Sequence, residues 1–393
     1  MVAVEVSRSV YWVGAVDWSV RDFHGYALKH GTTYNAYLVK AEKVALVDTV
    51  KMGFSEELLT NIRELIPPEK IDYVVVNHVE PDHSGSMPAV MKVAENAKVL
   101  ASGPGVNGLL RHYHRKEWPI SAVKTGDELS LGGKTLSFIE APMLHWPDSM
   151  FTYVKEDGLL LPNDAFGQHL ATSQRFDDEV GSLMEAAAEY YANILMPFGL
   201  QIVRMIEKLR GMGIPLNTIA PSHGLIWRKE PQKIVQAYLE WSRGQARNKA
   251  VVVFDSMWGS TEKMAYAIAE GIASRGVEVK LFHLRRDELS AIAAEILDAK
   301  AILVGASTLN NGPLPAVASF LAYLRGLRPK AKKSAVFGSY GWGGGGIKAA
   351  EAECKAIGLE PLGESLAVKY VPDEGELQTC VEYGRAIADK LKA

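Results

Sequence analysis

The chain has 393 residues, 48% hydrophobic and 23% charged, which suits two packed domains and excludes a disordered chain. A formal net charge of −3 offers no basic field for nucleic acid, and the apolar runs are too short and too broken by charge to span a membrane. Two cysteines, Cys354 and Cys380, exclude a disulfide framework or a cysteine-held iron–sulfur cluster; with no leader-like N-terminus, the expected compartment is the cytoplasm.

Residues 10–48 read as strands and turns. Thr32–Val39 is rich in β-formers, Lys40–Lys43 connects, and Val44–Val47 is a second strand. A helix starts at Ser55, with Leu58, Leu59 and Ile62 at helical spacing, and Pro67-Pro68 ends it. The next strand, Ile71–Val76, stops in Asn77-His78-Val79-Glu80-Pro81-Asp82-His83-Ser84-Gly85. Four ligand-type side chains, His78, Glu80, Asp82 and His83, lie within six positions, and two imidazoles with two carboxylates suit a first-row transition metal.

The same pattern recurs downstream. His145 follows the strand Thr135–Ile139, Asp164 follows Gly158–Leu161, and His223 follows Asn217–Ala220. Each has an ordinary explanation alone: a core histidine, a turn cap, a tight polar loop. Together, on the rim of a shared scaffold, they give four histidines and three carboxylates, the inventory for two metals with one carboxylate bridging. Nine of the ten histidines precede residue 224. Of the others there, His112 and His114 read as a solvated basic patch, and His30 carries no argument. Residues 179–212 read as one or two helices broken near Pro197, with Tyr190 and Tyr191 packing there and one of them able to face the metals.

Pro231–Arg243 forms a helix, and the polar stretch 244–249 marks the expected boundary, giving domains 1–248 and 249–393. Beyond it strands at 250–254, 277–282, 301–305, 334–338 and 365–371 alternate with helices at 262–274, 288–297, 315–326 and 346–357. That order predicts a doubly wound, five-stranded parallel sheet whose ligand sits at the strands' carboxyl ends. Three loops lie there. Ser256-Met257-Trp258-Gly259-Ser260-Thr261 runs into a helix N-terminus and forms an anion cradle, with no lysine of the nucleoside-triphosphate kind. Ser307-Thr308-Leu309-Asn310-Asn311-Gly312 is polar, and Ser339-Tyr340-Gly341-Trp342-Gly343 pairs aromatics with glycine, as a flat ring requires. Gly341, Gly343 and Gly346 match G-x-G-x-x-G, but after the fourth strand instead of the first, where a dinucleotide fingerprint belongs.

The set His-x-Glu-x-Asp-His, then a lone His, a lone Asp and a last His, resembles the metallo-β-lactamase fold as used by flavodiiron proteins, and the three later loops resemble those holding FMN in flavodoxins. The resemblance spans nearly the whole chain. It implies an N-terminal metallo-β-lactamase-like αββα sandwich and a C-terminal flavodoxin-like domain. It implies two non-haem irons, one on His78, Glu80 and His145, the other on Asp82, His83 and His223, with Asp164 bridging. Zinc hydrolases of that fold usually carry His where Glu80 stands, and a carboxylate there favours iron. His24, and more weakly His169, resembles a histidine beside those ligands, and Tyr191 is the tyrosine expected to face them. The implied activity is reduction of dioxygen to water or nitric oxide to nitrous oxide, fed by FMN in a head-to-tail homodimer or tetramer. The implied donor is rubredoxin or reduced coenzyme F420. The competing readings are a dinuclear zinc hydrolase with an appended flavin domain and a non-catalytic FMN electron carrier.

Overall fold

The computed structural model describes residues 2–393 and divides into two compact units. One runs to Tyr191 and resumes over Phe198–Leu239; the other comprises Ala192–Pro197 and Glu240–Ala393.

The first unit is a sandwich. Its larger sheet orders the strands Val4–Ser7, Val10–Trp12, Tyr37–Lys40, Val44–Val47, Tyr73–Val76, Lys98–Ala101 and Ile120–Ala122. The last four pair in parallel and the first four antiparallel. Its smaller sheet orders Glu128–Ser130, Thr135–Glu140, Met150–Val154, Leu159–Leu161 and Thr218–Ile219. Strand alternation builds two cores from one sheet. Val39, Val47 and Val75 point between the sheets to meet Phe138, Met150 and Leu161. Leu38, Leu46, Val74 and Val76 point the other way, toward Leu58, Leu59 and Ile62 of the Ser55–Arg63 helix.

The structure departs from the sequence reading in two places here. The expected strand Thr32–Val39 is two strands: Thr32–Tyr34 pairs with Ala15–Asp17, and Tyr37–Lys40 joins the larger sheet. Asn35 breaks it. Its side chain accepts from Trp12 Nε1 (2.7 Å) and donates to the Pro221 and Gly224 carbonyls, so the chain turns there. Helices Met87–Val93 and Gly103–Tyr113 are absent from the sequence reading; in the second, Gly103, Gly105 and Gly108 weaken the helical pattern. Ser102 starts the second by accepting from Gly105 N (3.1 Å). His112 sits in its last turn and His114 follows it, both exposed.

The second unit is a parallel sheet ordered Glu278–His283, Arg247–Asp255, Ala299–Ala306, Lys333–Tyr340, with Glu360–Pro361 and Leu366–Lys369 both pairing the last. Val251, Val253, Ile302 and Val304 face Ile292, Phe320 and Ala350 of the Leu289–Leu297, Pro315–Leu327 and Gly345–Ile357 helices. Val252, Phe254, Leu303 and Phe337 face the Ser260–Ser274 and Glu374–Lys392 helices. The Glu374–Lys392 helix is absent from the sequence reading. It docks closely because Gly271 and Gly384 carry no side chain: a Cβ on Gly271 would lie 2.1 Å from Val381 O, and one on Gly384 2.2 Å from Ile268 O.

Candidate metal centre and flavin pocket

The seven ligand-type residues converge at one end of the sandwich. Tyr73–Val76 delivers His78, and the short helix Pro81–Ser84 turns Asp82 and His83 back toward it. Asp48, at the end of the neighbouring strand, organises this rim. It accepts from Asn77 N (2.7 Å), Asn77 Nδ2 (3.1 Å) and Asn163 Nδ2 (3.2 Å), so the residues just before His78 and Asp164 share one anchor. Burial pushes the Asp48 carboxyl up to about 6, against the opposing charge of His83.

Two groups of potential ligand atoms result: His78, Glu80, His145 and Asp164, and Asp82, His83 and His223, each within 4.8 Å of one another. Glu80 Oε2 lies 3.3 Å from His78 Nε2 and 3.1 Å from His145 Nε2. Asp82 Oδ2 lies 3.2 Å from His223 Nε2, and its Oδ1 lies 3.4 Å from His83 Nε2. Asp164 faces both. Its Oδ2 points to His145 Nε2 (3.4 Å) and its Oδ1 to His83 Nε2 (3.1 Å) and His223 Nε2 (3.4 Å). One carboxylate presenting one oxygen to each trio has the geometry of a bridge.

The donor set fits a metal pair. Although these are ion-pair distances, His78 Nε2, Asp82 Oδ1 and Oδ2, His83 Nε2 and Asp164 Oδ2 have no hydrogen-bond partner among the described residues. Buried polar atoms are rarely left so, and a shared orphan cluster of alternating nitrogen and carboxylate oxygen is what a cation would satisfy. Burial alone would push His78 down, but the hydrogen bond to Asp148 and the nearby Glu80 carboxylate outweigh it and raise the imidazole to about 10. His223 is likewise lifted to about 10, by Asp164 and Asp82 against burial, and His145 to about 9, by Asp164 and Glu80. Burial would raise Glu80, but the imidazoles of His145, His24 and His78 hold it well below the usual carboxylate range. These imidazoles carry protons that a metal would displace.

His24 sits at the mouth, 49% exposed, with Nε2 2.7 Å from Glu80 Oε1, and the Glu80 bond raises its pKa. Tyr191 is buried with its ring 4.9 Å from that of Tyr238; its neighbour Tyr190 donates to Asp164 Oδ1 (3.0 Å), as does Ser222 Oγ (3.2 Å). His223 Nδ1 donates to Thr33 O (2.6 Å). His169 lies between Thr32 Oγ1 (2.9 Å) and Tyr26 OH (3.2 Å), and burial keeps it neutral. Sequence reasoning passed over Asp48, Asp148, Ser222 and Thr33. Asp48, directly after the strand Val44–Val47, and Asp148, three residues after His145, had a local signal.

In the second unit a cavity of about 780 Å³ opens at the carboxyl ends of the strands. All residues of the three expected loops line it except Gly259, Thr261 and Gly312. Gly259 makes the turn into the helix at φ +85°, its N–H held by Ser256 Oγ (3.0 Å). Gly312 pairs with Leu309 in a small hairpin. Thr261, fully buried, ties the loops together: its hydroxyl meets Ser307 Oγ (2.7 Å) and Ser339 Oγ (2.9 Å). Tyr370 and Val371, after the Leu366–Lys369 strand, add a fourth wall that the sequence reading did not include. Hydroxyls at a helix N-terminus on one side, and Tyr340, Trp342 and Tyr370 on the other, suit a phosphate tail and a flat ring.

Fold and site together define a flavodoxin unit joined to a metallo-β-lactamase-like unit with a dinuclear ligand set. The model of the ODP family beta lactamase matches residues 32–224, and that of flavodoxin matches residues 252–384. The chain is 51% identical to the nitric oxide reductase of Moorella thermoacetica, covering 99% of this chain and 98% of that protein. It is 43% identical to the rubredoxin-oxygen oxidoreductase of Megalodesulfovibrio gigas, covering 100% and 99%. The crystal structure of the flavodiiron protein from Giardia intestinalis superposes with a TM-score of 0.97 at 35% identity, covering 100% and 97%. The chain belongs to the flavodiiron proteins.

Proposed function

We propose that this protein is an oxidoreductase that reduces dioxygen to water, nitric oxide to nitrous oxide, or both. Its cofactors are FMN and two non-haem irons. His78, Glu80 and His145 would hold one iron, Asp82, His83 and His223 the other, with Asp164 between them. The observation that carries the reading is Asp164, whose two oxygens address the two trios separately. The irons, cycling between ferrous and ferric, and a reduced flavin together offer four electrons, the number that dioxygen needs to become two waters; two nitric oxides need only two.

The chain's own residues set the conditions. Tyr190 and Ser222 hold the bridging carboxylate from one side by hydrogen bonds to Oδ1. His24 Nε2 holds Glu80 Oε1 and places an imidazole at the solvent edge. The Phe23 ring packs on His24 and the Trp146 ring on His78, at centroid distances of 4.4 and 4.9 Å. Electrons come from a separate donor, rubredoxin or reduced coenzyme F420. Trp258 and Trp342, more than nine-tenths exposed beside the flavin pocket, are apolar anchors for that donor or for a second copy in a head-to-tail dimer. No described helix is long and apolar enough to cross a membrane, and the proposed compartment is the cytoplasm.

Glu80→Ala tests the assignment. The variant is expected to lose consumption of both gases while keeping FMN. Unchanged turnover at normal iron content would remove Glu80 from the ligand set, and zinc in place of iron, with hydrolytic turnover, would replace the reading by a hydrolase.

A further inference from the structure

Asp148 is buried, 5% exposed, three residues beyond His145. Its Oδ2 takes two contacts, Val79 N at 2.8 Å and His78 Nδ1 at 2.9 Å. Its backbone carbonyl accepts Ser102 Oγ at 2.6 Å, and that same hydroxyl caps the Gly103–Tyr113 helix. Asp148 is thus pinned through both its main chain and its side chain. The proton positions follow. Val79 N–H is an obligate donor, and an ionised carboxylate only accepts. His78 Nδ1 therefore carries the proton it shares with Asp148, and the proton that a metal would displace is the one on Nε2, the atom facing Glu80, His145 and Asp164.

Two of the other histidines are held differently. His223 Nδ1 rests on a neutral carbonyl, Thr33 O at 2.6 Å. His83 Nδ1 has no hydrogen-bond partner among the described residues. A carboxylate draws on the Nδ1 proton harder than a carbonyl does and leaves more negative charge on the coordinating nitrogen. We propose that Asp148 is a positioning residue for His78: it fixes the ring and its tautomer and makes it a more strongly donating ligand, so that the metal at the His78–Glu80–His145 position binds more tightly and is harder to reduce. This rests on the reading that the two trios hold an iron pair.

Asp148→Asn tests it, since it keeps shape and the Val79 contact but removes the charge. In the variant, one of the two irons is expected to pass to a chelator about 10- to 100-fold faster than in wild type, the usual cost of losing such a partner. The other iron should leave at the wild-type rate, and FMN content should not change. In a redox titration followed by Mössbauer and electron paramagnetic resonance, one iron couple should shift to higher potential and the other stay in place. A role confined to folding predicts instead that both irons are lost together with unmoved potentials in the molecules retaining them, and that result overturns the proposal. Wild-type protein gives an independent reading. With zinc in the site the protein is diamagnetic, and histidine ¹⁵N spectra should show His78 protonated at Nδ1 in a strong hydrogen bond; protonation at Nε2, or no such bond, overturns it even if the variant fails to fold. A wild-type protein without an iron pair would sink the functional reading itself, whereas an iron pair indifferent to Asp148→Asn sinks only this inference.

Discussion

Removing the metals should destabilise the first unit far more than the second. Five buried atoms of the cluster, His78 Nε2, Asp82 Oδ1 and Oδ2, His83 Nε2 and Asp164 Oδ2, lack hydrogen-bond partners among the described residues. Each unsatisfied buried polar atom costs about 1–3 kcal/mol. Ion pairs such as His83 to Asp164 (3.1 Å) relieve part of this, so the low end applies, roughly 5 kcal/mol for the five. In a unit of this size 1 kcal/mol moves the melting temperature by about 2–4 °C. Chelation under reducing conditions should therefore lower the first unit's transition by roughly 10–20 °C. Calorimetry on the loaded, chelated and iron-reloaded protein measures it, while release of flavin fluorescence marks the second unit's own melt. Reloading with ferrous iron should restore the first transition. If elemental analysis confirms removal and all three forms melt together, the cluster is not a metal site and the orphaned atoms have another explanation.

Three further outcomes follow from the second unit. Thr261→Val strips a hydroxyl that joins Ser307 and Ser339 and leaves both buried serines short of a partner; at about 1–3 kcal/mol, FMN should bind the apoprotein roughly ten- to a hundredfold more weakly in a fluorescence titration. Gly271→Ala places a methyl 2.1 Å from Val381 O, a backbone atom that cannot swing away, and should cost about 1–3 kcal/mol in urea unfolding with the metal centre intact. Lys332 is 4% exposed and donates to Leu297 O; burial lowers its pKa from 10.5 to about 8, with Asp298 opposing and Lys249 assisting. The unfolded chain then binds more protons than the folded one between about pH 8 and 10.5, so stability should rise with pH across that window, by roughly 3 kcal/mol in all. Lys332→Met should flatten that rise; a slope unchanged by the substitution would refute the assignment.

Local signals carried much of this molecule. The run Val74–Val76 ending at His78 reads as a strand closing on a ligand because a β-branched apolar run and the abrupt change to polar residues are both properties of adjacent positions. The parallel βα alternation after residue 249 is equally local, and so are the three loops at the strand ends. What adjacency could not supply is which atoms meet. Asn35 ends a strand only because Trp12, Pro221 and Gly224 are there to receive it. The Glu374–Lys392 helix has its own capping box at Asp373 and Glu376, yet its place is set by Gly271 and Gly384, on two helices a hundred residues apart in sequence. Sequence alone named seven ligand-type side chains. Only the packing of the two sheets turned Asp164 so that each oxygen faces a different trio, and brought Asp148 behind His78. Residue type and spacing are written along the chain, whereas the direction of a carboxylate's two lone-pair sets and the proton on an imidazole depend on neighbours that the chain brings back from far away.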